Sequence, residues 1–277
     1  MACHVRPTTQ RVAVPIVAQG YDSILPMPPD LVVSTGRHFV GRYVSDSTAK
    51  NITASEYQSY RRAGLSVILF AENTNLDWLM SRSEAESFGT RCRRFANEAG
   101  FPSDRPLFAS IDTEIFSNQF AQACAYILNF AKGAGGPPAG YLQNDLGRYC
   151  MTRGVVYVCN TAAIDDGQPT SAQLLQCHEF PGGPLVGFDA PLGNTGILVD
   201  YDFATREDYG QAPAPPDPIQ QETDMFLIEE KGANGPIYLC AGLTKHALSN
   251  EQVAAYEAMG LTRKQLSGAQ LASIPTA

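Results

Sequence analysis

From about residue 16 onward, short apolar runs alternate with segments whose apolar residues recur every three or four positions. The runs "IVAQGYD" (16–22), "HFVGRYV" (38–44), "LSVILFAE" (65–72) and "PLFASIDTE" (106–114) predict four strands. The second is rich in β-branched and aromatic residues, and the third reads as continuously buried. Between them, "NITASEYQSYRRAG" carries Thr53 and Glu56 at capping-box spacing and Gly64 as a stop, which predicts a short helix marked at both ends. A stripe of Ala85, Phe88, Cys92, Phe95, Ala96 and Ala99 predicts a second helix over 83–99. Phe120, Cys124, Ile127, Leu128 and Ala131 predict a third over 117–132.

The second half continues the pattern less regularly. Strands are expected in "AGYLQN" (139–144), "GVVYVCN" (154–160), "LLQCHEF" (174–180) and "GILVDYDFA" (196–204), with a short helix over 145–153. Eight strands separated by helices imply a parallel sheet covered on both faces, so the expected fold is α/β, a TIM-like (β/α)8 barrel over 16–209. An open doubly wound sheet is the alternative. Residues 1–15 then form an N-terminal arm, and the Pro- and Gln-rich stretch 210–223 a stiff linker. The strand, Gly/Asn/Pro turn, strand and amphipathic helix over 224–277 read as a small ββα module, too small to hold much chemistry and suited to docking.

Composition narrows the function. Twenty Lys and Arg against 28 Asp and Glu give a formal charge of −8 over 277 residues, and no basic cluster tracks a phosphate backbone, so nucleic acid is not an expected partner. The seven cysteines are scattered without C-x-x-C spacing and the four histidines lack ligand spacing, so neither a metal, a disulfide framework nor a cofactor is implied. No run of about 18 apolar residues occurs that would span a membrane. Pro15 interrupts the one short apolar segment near the amino terminus, and the chain is expected to fold in a cytoplasm.

A barrel of this class works at the carboxyl ends of its strands. Residues expected there are Asp22, then Arg42 and Tyr43, Glu72, Asp112 and Glu114, Tyr141 and Gln143, Asn160, Gln176 and His178, and finally Asp200 and Asp202. Strand side chains alternate, so Asp112 and Glu114 are expected to share a face. Crowded acids suit glycoside hydrolysis, which needs one carboxyl to protonate the leaving oxygen and another as base, nucleophile or electrostatic support. Other roles remain open: Asp112 or Glu114 as a helix cap, Asp22 as a turn residue, and Glu72 as an ion-pair partner of Arg42. Asp200 and Asp202 share parity, so one can face the mouth while the other caps a turn. His178 is as consistent with a structural hydrogen bond as with a base, and Tyr141 and Trp78 with packing as with sugar stacking.

Gly20-Tyr21-Asp22, "FVGRYVS", "KNITASE", "GLSVILFAE", "SIDTE" and "LVDYDFA" together resemble the glycoside-hydrolase-like barrel domain of actinobacterial cell-wall proteins and their phages. The placing of acids after the first, fourth and last strands is similar to that of phage-type muramidases. The resemblance implies Glu114 as proton donor, with Asp112, Asp22 and Asp200 as supporting or water-activating carboxylates; the other strand-end residues Arg42, Tyr43, Glu72, Tyr141, Asn160, Gln176 and His178 are expected to bind substrate. The family tends to carry a Trp near the sixth strand, where this chain reads "VVYVCNT". The segment "MFLIEEKGANGPIYLCAGLTKHALSN" resembles a terminal module of actinophage tail and lysis proteins. What the two resemblances imply is a minor tail protein at a phage tail tip, made in the host cytoplasm, which binds and hydrolyses host cell-wall peptidoglycan and contacts other tail proteins through 224–277. A non-catalytic adhesive tail component and a free endolysin-type muramidase are the alternatives.

Overall fold

The computed structural model describes residues 16–161, 171–176, 190–214, 226–230, 237–241, 244–249, 253 and 263–266. Strands β1 (Ala18–Asp22), β2 (Phe39–Val44), β3 (Ser66–Ala71), β4 (Phe108–Ser110), β5 (Ala139–Leu142), β6 (Tyr157–Thr161) and β7 (Leu174–Gln176) run parallel, each bonded to the next. Beyond them come the two-residue β8 (Ala190–Pro191) and β9 (Leu198–Ala204), and β9 pairs with both β7 and β1. The ring is therefore a closed eight-stranded barrel of β1 to β7 and β9.

One strand departs from the expected all-parallel barrel. β9 is antiparallel to both neighbours, with Gln176 opposite Asp202 and Asp22 opposite Asp200. The parallel expectation assumes a crossover between successive strands. Here β7 ends and β9 begins at the same mouth, so the chain doubles back instead.

Helices α1 (Pro29–Ser34), α2 (Ala54–Arg62), α3 (Arg82–Ala99), α4 (Phe120–Ala134) and α5 (Asn144–Met151) cover the wall. The Thr53–Glu56 capping box opens α2 as the spacing predicts. A second box, Ser81 with Glu84, opens α3, and Gly100 ends it with φ of 91°. The sequence pattern did not mark α1, which begins at a proline in the first turn, a position where the missing N–H costs nothing. Apolar side chains pack in two layers. Phe39, Ile68, Phe70, Phe108 and Leu174 fill the barrel, while Val40, Leu69, Phe88, Ile127 and Phe130 join its wall to the helices.

Helices α3 and α4 approach through glycines. A Cβ on Gly133 would fall inside the contact radius of the Glu86 backbone oxygen, and one on Gly89 inside that of the Phe130 oxygen. Thr90 also donates its hydroxyl to the Gly133 carbonyl at 3.1 Å. Gly133→Ala is expected to cost about 1–3 kcal/mol by overpacking, outweighing the ~1 kcal/mol that alanine gains in helix propensity. A lower urea midpoint with an unchanged slope is the expected measurement.

Residues 215–277 form a second unit. Its described strands β10 (Phe226–Glu230), β11 (Tyr238–Ala241), β12 (Thr244–Ala247) and β13 (Arg263–Leu266) make one sheet in the order β12-β11-β10-β13. β10 and β11 pair antiparallel, while β13 lies parallel to β10. The alternation did not mark β12 or β13, and the helix expected near 249–260 falls almost wholly outside the described residues. Among the described residues no helix is long and apolar enough to cross a membrane.

Candidate active site

Alternation along β1 and β2 decides which side chains enter the barrel. Gly20 and Asp22 face inward, as do Phe39, Gly41 and Tyr43; a Cβ on Gly41 would lie 2.5 Å from the Asp22 Cβ, so the glycine makes room for the carboxyl. Asp22 is 2 % exposed. Its Oδ1 accepts the Tyr43 hydroxyl proton at 2.9 Å and its Oδ2 accepts from Gln176 Nε2 at 2.7 Å. The same nitrogen donates to Asp200 Oδ2 at 3.2 Å, and the Tyr141 hydroxyl donates to Gln176 Oε1 at 2.5 Å. Five of the expected residues, from β1, β2, β5, β7 and β9, thus meet in one network.

The electrostatics follow from burial among like charges. Burial, and then the charge of Asp200, push the Asp22 carboxyl up to about 7 against the opposing donors Gln176 and Tyr43. Asp202, on the inward face of β9, is pushed well above the usual carboxylate range by burial, then by Asp22 and Asp200. Burial also raises Asp112. The Tyr43 and Tyr141 hydroxyls are both raised, chiefly by burial and next by Asp22; Tyr141 also feels Asp112, and Tyr43 feels Glu72. These two tyrosines therefore stay protonated and serve as donors throughout the physiological range.

The rim of the mouth holds the remaining acids. Glu72, half-buried just beyond β3, pairs with Lys50 at 3.3 Å, whose Nζ stands 5.4 Å from the centre of the Tyr43 ring. The period-two argument for Asp112 and Glu114 does not hold, because β4 ends at Ser110 and both acids lie in the loop beyond it; Asp112 is half-buried and Glu114 exposed. That loop is pinned. The Ile115 N–H donates to Gln143 Oε1 at 2.7 Å, and Gln143 Nε2 donates to the Ile115 carbonyl at 2.9 Å.

Arg42 and Asn160 lie elsewhere. Arg42 follows inward Gly41 and precedes inward Tyr43, so it points to the outer layer, where it is 1 % exposed, bonds Glu56 at 2.5 Å and donates to the Ser23 carbonyl at 2.5 Å. The ion-pair partner suggested for it, Glu72, belongs instead to Lys50. Asn160 likewise alternates with inward Cys159 and Thr161 and faces α5, its Oδ1 being 3.7 Å from a Cβ built on Gly147. Trp78 is buried in the outer layer. His178 lies outside the described residues. Among the described residues, no group of three or more His, Cys, Asp or Glu side chains is arranged to hold a metal ion.

Two residues that matter to the site were read only in part from the sequence. Glu56 was legible only as a capping residue, and it both caps α2 and neutralises Arg42. Asp202 shares parity with Asp200, which the sequence does show, but its depth depends on register. It stands opposite Gly20, one layer below the Asp22–Asp200 pair.

A closed barrel with carboxyls gathered at its mouth defines this as a glycoside-hydrolase-like barrel protein. Residues 30–173, more than half of the chain, match the family described as the Rv2525c-like, glycoside hydrolase-like domain, and the chain belongs to that family. Among solved structures, the Mycobacterium tuberculosis Tat-secreted protein Rv2525c superposes with a TM-score of 0.61 at 22% identity, over 70% of this chain and 98% of that one. An uncharacterized B. stearothermophilus protein gives 0.50 at 18% identity, over 68% and 95%. The Clostridium perfringens spore cortex lytic enzyme SleM gives 0.47 at 11%, over 84% and 78%, a likeness too slight to bear on this chain's chemistry. No curated protein matches the chain. At these identities the structural likeness shows a shared fold.

Proposed function

We propose that the barrel takes a cell-wall glycan, peptidoglycan first of all, into its acidic mouth and hydrolyses it by carboxylate acid/base catalysis. The observation that carries this reading is the buried Asp22 carboxyl, held by Tyr43 and Gln176 and crowded by Asp200. A buried carboxyl raised by a second one beside it is the arrangement of a site that must handle protons rather than of a surface ion-pair network. In this reading Glu114, exposed on a pinned loop, protonates the glycosidic oxygen. Asp112, Asp22 and Asp200 activate water and stabilise the positive charge that develops on the sugar, Glu72, Tyr43 and Tyr141 bond sugar hydroxyls, and Gln176 holds Asp22 and Asp200 in place.

Delivery completes the proposal. Rv2525c is a Tat-secreted protein. This chain, we reason, meets its glycan outside the cytoplasm, carried at a phage tail tip with residues 224–277 docked on other tail proteins. Purified virions are expected to contain the chain at fixed copy number by quantitative mass spectrometry; its absence from them leaves a free wall hydrolase. The hydrolase itself is tested by incubating the protein with purified actinobacterial wall. New reducing ends in the supernatant are expected. Co-sedimentation with wall but no release would make the protein an adhesin, and neither binding nor release would overturn the glycan reading.

A further inference from the structure

Asp202 is 0 % exposed, and neither of its carboxyl oxygens meets a donor. The elements around it are β1 with Gly20 and Asp22, β7 with Gln176, and its own strand with Asp200. Those elements carry two other carboxyls, Asp22 and Asp200, besides the tyrosines Tyr21 and Tyr201, and among the described residues no cation acts on Asp202. The donors that bond within the Asp22 network are already committed, and the buried Thr161 hydroxyl on β6 has no partner and so does not bond Asp202 either. Both Gln176 Nε2 protons go to Asp22 and Asp200, the Tyr43 proton goes to Asp22, and the Tyr141 proton goes to Gln176. An ionised Asp202 would therefore be a buried charge with no hydrogen bond, repelled by two others.

One proton removes the conflict. Across the antiparallel β1–β9 ladder Asp202 stands opposite Gly20, two residues from Asp22 on the same inward face, and its carboxyl is the one that can hydrogen-bond that of Asp22. We propose that Asp202 is the neutral acid partner of Asp22, donating its carboxyl proton so that the two share a single negative charge, and that Asp202 thereby positions Asp22 within the mouth. Asp22 then accepts from Tyr43, Gln176 and Asp202, which fixes the carboxylate from three sides. The arrangement is that of two carboxyls too close for both to ionise. Asp202 is a positioning residue and has no direct part in bond cleavage. That catalytic role rests on the proposed function; the shared proton does not.

The test separates the two. Carbon-13 NMR titration of aspartate-labelled full-length protein, assigned with single-site variants, follows each carboxyl from pH 4 to 8. In the wild type the Asp202 signal is expected to remain that of a protonated acid at pH 8, where Asp22 has given up its own proton. Ionisation of Asp202 in the ordinary carboxylate range overturns the proposal without any variant. Asp202→Asn keeps the shape and one donor, so the Asp22 titration should stay within about half a pH unit of wild type, whereas Asp202→Ala, which lacks the donor, should move it up by about one unit. Equal displacement by both variants also overturns it. Where wall hydrolysis is measurable, its pH profile should be kept by the Asn variant and displaced upward by the Ala variant. If the wild type has no hydrolase activity, the proposed function fails while the NMR result still decides the proton pair.

Discussion

Glu114→Gln is expected to lower the release of reducing ends from actinobacterial wall by about a hundredfold or more, with wall binding and melting temperature unchanged. The magnitude is that of removing a general acid, which contributes about 10²–10⁴ in rate. Glutamine keeps the size and polarity of the side chain but has no carboxyl proton to give. Stability should not move, because Glu114 is exposed and makes none of the buried contacts whose loss is costly. The loop that carries it stays in place through the paired bonds between Gln143 and Ile115, which do not involve the Glu114 side chain. A rate loss at constant binding would separate chemistry from adhesion. Full retention of activity would move the donor to Asp112, the half-buried acid on the same loop whose carboxyl is already raised by burial.

How much of this was legible in the sequence depended on whether the signal was local. The Thr53–Glu56 capping box and the apolar runs of β2 and β3 were readable because the residues that define each element are neighbours in the chain. The ring of acids was partly readable as well: Asp22, Tyr43, Tyr141, Gln176 and Asp200 do meet. Arg42 and Asn160 were misplaced for a reason already present in the sequence. Consecutive strand residues cannot share a face, so assigning Tyr43 to the mouth sends Arg42 to the outer layer. The direction of β9 and the depth of Asp202 were not readable, since a strand's composition does not record its orientation and a one-residue change of register reverses every side chain. β4 shows the same limit. Its apolar alternation runs on past Ser110, yet the ladder stops there and the acids follow loop geometry.

The acids at the floor of the mouth make a second large effect testable, and it runs opposite to the usual consequence of altering a buried hydrogen-bonded residue. Asp22→Asn is expected to stabilise the protein at pH 8 while abolishing wall hydrolysis. In the native state the Asp22 carboxyl is pushed up to about 7 from an ordinary value of 3.8. Between those two values the folded chain binds more protons than the unfolded chain, so stability falls as pH rises. The contribution is fully present below about 4, declines through about 7 and is lost above it. The difference of roughly three units corresponds to at most about 4 kcal/mol for this group at pH 8. Asparagine is neutral at every pH and can still accept from Tyr43, so the variant loses this part of the slope. Urea midpoints measured from pH 4 to 8 should converge for the two proteins at pH 4 and separate in favour of Asn at pH 8. A lower midpoint for the variant at both ends would mean that Asp22 is a structural acid stabilised by its donors. A gain in stability joined to a loss of hydrolysis would mean that the fold keeps a destabilising carboxyl at the barrel mouth because its chemistry requires one.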